Sequence, residues 1–421
     1  MKKRETKKKT TNEHRIEDLI PDESLRSEMM SRLYKGDPLF GEQGIFTDLL
    51  QSFVNAALEG EMENYMNESR EDESGNRRNG HTSKRLRSSA GPLSIKTPRD
   101  RHGDFEPVIV EKRDRELATG LDEIILSLYA RGQSVEDVRY HLKHIYGLEI
   151  SEGTISAVTD KVWSEITEWQ NRPLVSCYAI LYLDAIHYKV REEGKVICKA
   201  IYTVYALTHE GKRDILGLYL GESEGARQWG LILEDIRRRG VEDVLFFSID
   251  GLSGFKEVIE TVFPSSLIQR CIVHKIRNST KFVRTSERTD VCQDLRKIYT
   301  SANRLQAQVA LEAFDQKWGK KYKEIKPSWE EDWDELMVFM DYSQHIRRMI
   351  YTTNPVEAVH RVMRKVTKSK GAWSNDKGLI KQLYLTLKHS EKSWKKQASH
   401  WMPIQRDLIE YFGERYTRHL A

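Results

Sequence analysis

Three acidic residues, far apart in the chain, occupy positions where a carboxylate requires either a polar or cationic partner or a catalytic role. Asp184 lies in the middle of a long apolar run, where an unpaired carboxylate is costly to bury. Asp250 directly follows the apolar segment 244–249, and Glu357 lies near the start of a segment with helical periodicity. Three carboxylates brought together repel one another unless divalent cations neutralise them, and their hard oxygen ligands suit magnesium or manganese. We therefore interpret Asp184, Asp250 and Glu357 as catalytic residues and ligands of Mg2+, for which Mn2+ is expected to substitute.

Each of these acids also has a purely structural interpretation. Asn354 suits the N-cap of a helix and Pro355 suits its first position. Asn354 and Glu357 have the spacing of a capping box, so Glu357 alone could simply stabilise the helix start. Asp184 and Asp250 could be ordinary strand-end acids. All three together, in a suitable order of elements, favour the catalytic interpretation.

Basic residues follow Glu357 along the same predicted helix. Arg361, Arg364 and Lys368 recur at steps of three and four, and Lys365 lies beside them. An acid for a cation, followed by bases for a phosphate chain, is the arrangement that a metal-assisted nuclease needs. We expect Arg364, Lys365 and Lys368 to bind DNA, and Arg361 to lie near the site or contact phosphate.

The elements that position the acids are predicted to form a mixed α/β core. Apolar runs separated by tight turns predict three consecutive antiparallel strands over residues 177–220. A helix and a fourth strand, ending at Asp250, follow. A strand reached through a helix is normally parallel to its neighbour, so this order predicts a ribonuclease-H-like sheet with the first and fourth strands side by side. Residues 279–345, in which Leu305, Val309 and Trp318 are among the apolar residues in helical rhythm, read as an all-α insertion.

The chain upstream of this core carries two candidate DNA-binding regions. Residues 74–116 are rich in Gly, Pro and Arg and predict a basic β-ribbon, in which Arg99 and Arg101 are candidate DNA contacts. Residues 117–172 predict helices joined by Gly-containing turns, as in a helix-turn-helix. The candidate contacts of its last helix are Thr154, Ser156, Thr159 and Lys161. A solvated loop and a trihelical packing unit without DNA are the alternatives for these two regions.

Composition narrows the class of protein. The 421 residues include 68 Lys plus Arg and 64 Asp plus Glu, and the basic residues cluster in the N-terminal tail, in the 77–115 segment and after Glu357. Clustered basic charge on a nearly neutral total favours nucleic acid as partner rather than a membrane. Four cysteines without a C-x-x-C spacing indicate no disulfide framework. We expect a cytoplasmic, nucleoid-associated bacterial protein.

Several motifs resemble those of one known family, the Mutator-type transposases of bacterial insertion sequences. The matching segments are Leu183-Asp184-Ala185, Asp250-Gly-Leu-Ser-Gly-Phe255, Gln269-Arg-Cys-Ile-Val-His274, Lys275-Ile-Arg-Asn278 and Tyr351-Thr-Thr-Asn-Pro-Val-Glu357, with Pro98-Arg-Asp-Arg101 and Tyr129-Ala-Arg-Gly132 upstream. The resemblance covers roughly residues 40–400. It implies a catalytic triad of the DDE type on Asp184, Asp250 and Glu357, a ribonuclease-H fold with an α-helical insertion, binding to terminal inverted repeats, and a homodimer or larger assembly.

Cys271 and His274 match the C-x-x-H element of that family. A zinc site would need two further ligands, and the sequence has no second such pair. A core cysteine with a hydrogen-bonded histidine is the other alternative. We expect Cys271 and His274 to lie near the active site or to contact phosphate. His360 stands where the family pattern usually has Asn.

These inferences predict an insertion-sequence transposase that cuts and joins DNA with two Mg2+ ions. The alternatives are a DNA-binding regulator with an inactive ribonuclease-H-like core, and a structure-selective nuclease. The predicted regions are a basic tail with helices (1–73), a basic β-ribbon (74–116), helix-turn-helix-like helices (117–172), the first part of the core (173–278), an all-α insertion (279–345), and the catalytic helix with the C-terminal part of the core (346–421).

Overall fold

The structure is a computed structural model of the chain. It describes residues 20, 22–71, 76–112, 114, 120–351, 354–368 and 370–420, apart from the side chains of 69–71 and 354. The predicted basic tail and the predicted N-cap side chain of Asn354 therefore lie outside the described residues. The chain divides into two compact units, one made of residues 1–128 with 133–158 and the other of 129–132 with 159–421.

A long helix packed on a β-hairpin begins the first unit. The elements are α1 (Glu23–Lys35), α2 (Ile45–Glu71), β1 (Arg78–Ser88) and β2 (Gly91–Asp100). Val54 and Leu58 of α2 are buried against Leu86, Leu93 and Ile95 of the hairpin. The apolar face of α2, for which the sequence offers no local partner, thus packs on the neighbouring ribbon. In the sequence, Phe53 has the helical spacing of this apolar face, together with Ile45, Leu49, Leu50, Val54 and Leu58. In the structure it is instead 70% exposed.

The hairpin confirms the predicted β-ribbon but differs from it in extent. Its strands are antiparallel from Ser88 paired with Gly91 to Arg78 paired with Asp100. Gly91 is held at φ +140°, and a Cβ there would lie 2.7 Å from a backbone oxygen of Gly41, so only glycine fits this turn. The apolar segment Pro107-Val-Ile-Val110 favours an extended piece by its sequence, but residues 108–110 form bends rather than a strand. Pro107 within that piece cannot donate a ladder hydrogen bond.

Helices follow the hairpin as predicted. They are α3 (Leu121–Ala130), α4 (Val135–Tyr146), α5 (Glu152–Asp160) and α6 (Val162–Asn171). Ser134 caps α4 in a capping box with Asp137, and Gly147 ends it in the left-handed conformation. Ile125, Leu142 and Ile155 share one core within the first unit.

One predicted DNA contact on these helices is wrong. Thr159 is 1% exposed, and Lys381 donates from Nζ to its hydroxyl at 3.2 Å. Its position at the C-terminal end of α5 turns it into the interior of the second unit. A side chain buried in this way cannot reach a DNA groove.

A five-stranded mixed sheet is the centre of the second unit. Its strands are β3 (Cys177–Glu192), β4 (Lys195–Thr208), β5 (Arg213–Gly221), β6 (Asp243–Ile249) and β7 (Leu267–Arg270). They lie in the order β5-β4-β3-β6-β7. The antiparallel meander β3-β4-β5 and the parallel pairing of β3 with β6 confirm the two predicted pairings.

Helices cover both faces of this sheet. On one face, α7 (Ala226–Arg238) and α8 (Phe255–Val262) bury Trp229, Ile232 and Phe255. On the other face lie the later helices, with Trp329, Met363 and Leu383 among the buried side chains. Both faces of β3 are therefore buried, which explains its nearly continuous apolar sequence.

The region predicted as an all-α insertion contains helices throughout. Its elements are the end of α9 (Ile272–Ser279), α10 (Arg288–Tyr299), α11 (Arg304–Trp318), α12 (Ile325–Glu331), α13 (Trp333–Met337), a 3-10 helix (Val338–Asp341) and the start of α14 (Gln344–Ile350). Trp318 is buried as its periodicity suggests, and Trp329 is fully buried as well. Leu305 and Val309, assigned to the same rhythm, are 76% and 64% exposed because they lie on the outer face of α11.

The helix that begins near Glu357 runs along the sheet. It is α15 (Asn354–Thr367), and α16 (Asp376–His389), α17 (Glu391–Trp394), α18 (Trp401–Phe412) and α19 (Glu414–Thr417) follow. Val356, Val359 and Met363 are fully buried and form the predicted apolar stripe. Among the helices of the described residues, none is long and apolar enough to cross a bilayer.

Candidate active site

The pairing of β3 with β6 sets the two aspartates at matching positions. Every paired residue of β6 lies 66 positions after its partner in β3, from Cys177 with Asp243 to Tyr182 with Ser248. Asp184 and Asp250 keep this offset two residues further on. Adjacent strands lie about 4.8 Å apart, so continuation of the two strands carries both carboxylates to the same edge of the sheet.

Asp184 is held by a buried histidine. Its Oδ2 lies 3.1 Å from Nδ1 of His360, which is 1% exposed, and its Oδ1 accepts a hydrogen bond from the backbone N–H of Ala185 at 3.0 Å. His360 lies one turn after Glu357 on α15, on the face turned towards the sheet. Within the described part of the chain, Nε2 of His360 has no hydrogen-bond partner. The helix that carries Glu357 therefore also orients Asp184.

Glu357 contacts two side chains of α9. Arg277 donates from Nη1 to Oε1 at 2.8 Å and from Nη2 to Oε2 at 3.2 Å. Nε2 of His274 lies 3.4 Å from the same Oε1. Both oxygens of Glu357 are thus engaged by cationic side chains.

His274 interacts with all three acids. It contacts Glu357, and the pKa of its imidazole is raised to about 9 by the hydrogen bond with Cys271 and by the charges of Asp184 and Asp250. Cys271 is buried, at the start of α9. The structure therefore brings the predicted residues Cys271 and His274 together beside the acids.

A fourth carboxylate, Glu224, lies in the same electrostatic neighbourhood. Burial, followed by the negative charges of Asp250 and Asp184, raises its pKa to about 7. The pKa of Asp250 is also raised, mainly by burial and further by Asp184. These shifts show that negative charge is crowded at this edge of the sheet. Glu224 could not be found from the sequence, because it lies in a polar loop between β5 and α7 where an acid is ordinary.

The donor set fits a hard divalent cation, although the side chains are not yet arranged around one. Carboxylate oxygens are the ligands that Mg2+ and Mn2+ prefer, and a cation would offset both the burial and the repulsion by Asp184 that raise the pKa of Asp250. Within the described ranges, no three side chains of His, Cys, Asp and Glu are grouped as a ready metal site. Glu357 is turned towards Arg277 and His274 instead.

The predicted DNA contacts fall on exposed surfaces. Arg361, Arg364, Lys365 and Lys368 are exposed on the outer side of α15, and Arg99 and Arg101 are exposed at the end of β2. Of the α5 candidates, Thr154 is hydrogen-bonded to Ser151 in the cap of that helix. Ser156 and Lys161 each have a further interaction within the protein.

The fold and the site define a mixed α/β protein with crowded carboxylates at one edge of a five-stranded sheet. The family model of the transposases of the Mutator family matches residues 24–397. The chain belongs to this family, as the sequence motifs predict.

Similar proteins span nearly the whole chain. It is 37% identical over 398 residues to a probable transposase for an ISRM3-like insertion sequence element of Sinorhizobium fredii, covering 93% of this chain and 99% of that protein. The transposase for insertion sequence element ISRM3 of Rhizobium meliloti gives the same identity and coverage. A solved structure of the Drosophila P element transposase strand transfer complex matches over 72% of this chain and 90% of that chain, at 11% identity and a TM-score of 0.30. This TM-score is too low to support a structural argument.

Proposed function

We propose that this chain is the transposase of an insertion sequence, which binds terminal inverted repeats and catalyses Mg-dependent cleavage and transfer of DNA strands. The matching register of Asp184 and Asp250 on adjacent parallel strands carries this proposal. The link from Glu357 through His274 to both aspartates supports a triad of the DDE type. Membership of the family, together with two relatives at 37% identity that are named as insertion-sequence transposases, supports the substrate.

The core of the proposed enzyme is of the ribonuclease-H type. The sheet order, with a meander at one side and two parallel strands at the other, supports this assignment. Residues 173–278 and 346–421 form the core in this proposal, and residues 279–345 are its insertion. The β-ribbon and helices of the first unit bind the ends of the element, and the active assembly is a homodimer or larger.

In the proposed reaction, Asp184, Asp250 and Glu357 would hold divalent cations through their carboxylate oxygens, and the bound cations would supply electrostatic stabilisation for an in-line phosphoryl displacement. The exposed bases of α15 hold the phosphates of the strand, and His360 fixes the orientation of the Asp184 carboxylate. Water as nucleophile gives strand cleavage, and a DNA 3′-hydroxyl as nucleophile gives strand transfer.

Single charge-removing substitutions test the triad. Asp184→Asn, Asp250→Asn and Glu357→Gln are each expected to lower cleavage of a labelled transposon end by at least about 1,000-fold, because each removes an anionic cation ligand. Binding of the same DNA, measured by gel shift without metal, should persist. Asp341→Asn is the matched control, since Asp341 is an exposed acid paired with Arg304.

The outcomes separate the proposal from its alternatives. Near-normal strand transfer by one of the three variants would remove that residue from the triad. Cleavage of ends without joining to a plasmid would indicate a structure-selective nuclease. DNA binding without saturable Mn2+ binding, measured by isothermal titration, would indicate a regulator with an inactive core.

A further inference from the structure

The ion pair between Arg277 and Glu357 occupies an acid that the proposed reaction needs. The guanidinium donates to both carboxylate oxygens, at 2.8 and 3.2 Å. A carboxylate held by such a fork has fewer lone pairs left for a cation. A divalent cation on Glu357 would also meet the positive charge of Arg277 at close range. Cation and arginine therefore compete for the same acid.

Burial shows which partner of the pair is free to leave. The side chain of Glu357 is 20% exposed, whereas that of Arg277, in the last turn of α9, is 59% exposed. An ion pair with one partner in water is only weakly stabilising, so little is lost when the guanidinium swings outwards. The acid remains in the site, and the arginine is the mobile partner.

A second arginine nearby shows the contrasting arrangement. Arg270, at the end of β7, donates to Asp332 at 2.6 Å, and Lys275 donates to the other oxygen of Asp332 at 2.6 Å. The side chains of these three residues are only 9% to 21% exposed. Arg270 is thus fixed in a buried network on the insertion, whereas Arg277 faces solvent at the acids.

We propose that Arg277 is an exchangeable latch, which holds Glu357 before the cation binds and then moves to a phosphate of the DNA strand. This inference rests on the proposed function, because it assumes that Glu357 is a cation ligand. The same fork that pairs with two carboxylate oxygens pairs with two phosphate oxygens. Release of Glu357 to the cation and capture of the strand are thereby coupled in one side-chain movement.

Two measurements on Arg277→Ala test the latch in opposite directions. Titration calorimetry with Mn2+ alone, without DNA, should show Mn2+ bound about 2- to 5-fold more tightly than by the wild type, because the competing cation is gone. Cleavage of end DNA at saturating Mn2+ should nevertheless fall by at least about 10-fold, because the phosphate contact is lost. A defect in folding alone would not tighten metal binding while slowing cleavage.

Two further variants sharpen the test. Arg304→Ala removes an exposed arginine that also donates to both oxygens of a carboxylate, that of Asp341. It should change neither the Mn2+ affinity nor the cleavage rate. Arg277→Lys keeps the charge without the fork, so it should bind Mn2+ like the wild type and recover cleavage only in part. Full recovery of cleavage by Arg277→Lys would overturn the fork contact with phosphate.

Failure of the latch can be told apart from failure of the proposed function. Unchanged or weaker Mn2+ binding by Arg277→Ala, with Mn2+ binding by the wild type that Asp184→Asn abolishes, overturns the latch and leaves the proposed metal site standing. Absence of saturable Mn2+ binding by the wild type overturns both. Full cleavage by Arg277→Ala at saturating Mn2+ likewise overturns the latch.

Discussion

Removal of the charge of Glu224 is expected to stabilise the protein, and only above mildly acidic pH. The ordinary pKa of this carboxyl is 4.5, and in the folded protein it is about 7, first because of burial and then because of Asp250 and Asp184. A raised pKa means that the folded state binds the proton more tightly than the unfolded state does. Ionisation of Glu224 therefore destabilises the fold. The effect is absent below about pH 4.5, grows as the pH rises and is complete above about pH 7.

The size of the effect follows from the two pKa values. Each pKa unit corresponds to about 1.4 kcal/mol. Because the carboxyl is partly exposed and screened by solvent, ionised Glu224 costs about 2 kcal/mol at pH 8 rather than the full value of the shift. Glu224→Gln removes this cost and keeps the shape of the side chain. The loop itself is anchored independently, because the Tyr202 hydroxyl donates to the Ser223 carbonyl at 2.6 Å and accepts from the Gly225 N–H at 3.0 Å.

Thermal unfolding at two pH values measures the difference. With a chelator present, Glu224→Gln should melt close to the wild type near about pH 4.5 and several degrees higher near about pH 8, since a unit of this size shifts by about 2–4 °C per kcal/mol. Added Mn2+ should reduce the difference at pH 8, because a cation neutralises the crowded carboxylates. Glu222→Gln is the control, as Glu222 is exposed in the same loop. A pH profile for Glu224→Gln that matches the control would refute this reasoning.

Three further predictions concern other parts of the molecule. His360→Asn keeps a donor beside Asp184 and should retain cleavage within a few-fold, whereas His360→Ala should lose about 10-fold or more in the same assay because a buried carboxylate loses its polar neighbour. Equal cleavage rates of the two variants would exclude a positioning role for His360. Trp329→Ala should lower the free energy of unfolding by about 3–5 kcal/mol, measured by denaturant titration, since Trp329 is fully buried and donates to the Ser279 hydroxyl; a change below about 1 kcal/mol would contradict this packing. The double variant Arg99→Ala/Arg101→Ala should reduce the slope of log affinity for DNA against log salt concentration by about 2, because each arginine that binds a phosphate releases about one counterion. An unchanged slope would show that DNA binds to another surface of the protein.

The order of elements could be predicted because their signals are local. Apolar runs between tight turns mark β3 to β5, and the helical period with Ser134 and Gly147 as caps marks α4. The turn at Glu193-Gly194 fixes β3 and β4 as antiparallel neighbours, and the helix before β6 makes it parallel to β3. These rules sufficed to predict that Asp184 and Asp250 are carried by two adjacent strands.

Exposure was predicted less well where a residue's neighbours come from distant segments. Thr159 has the chemistry of a DNA contact but is buried against Lys381, more than 200 positions away. Leu305 and Val309 fit an apolar rhythm but face outwards, because α11 buries a different face. Periodicity shows that a helix has faces, and packing decides which face is covered.

The sequence by itself determined which residues carry the candidate chemistry and which elements bear them, since residue type, period and turn chemistry are properties of neighbouring residues. Only the tertiary structure decided how those residues are held. It paired His360 with Asp184 and Arg277 with Glu357, and it placed the half-buried Glu224 within the electrostatic reach of the two aspartates. Such contacts join segments up to 176 positions apart, from Asp184 to His360, and depend on the packing of α9 and α15 against the sheet. No local pattern encodes a distance between side chains that meet only after the chain has folded.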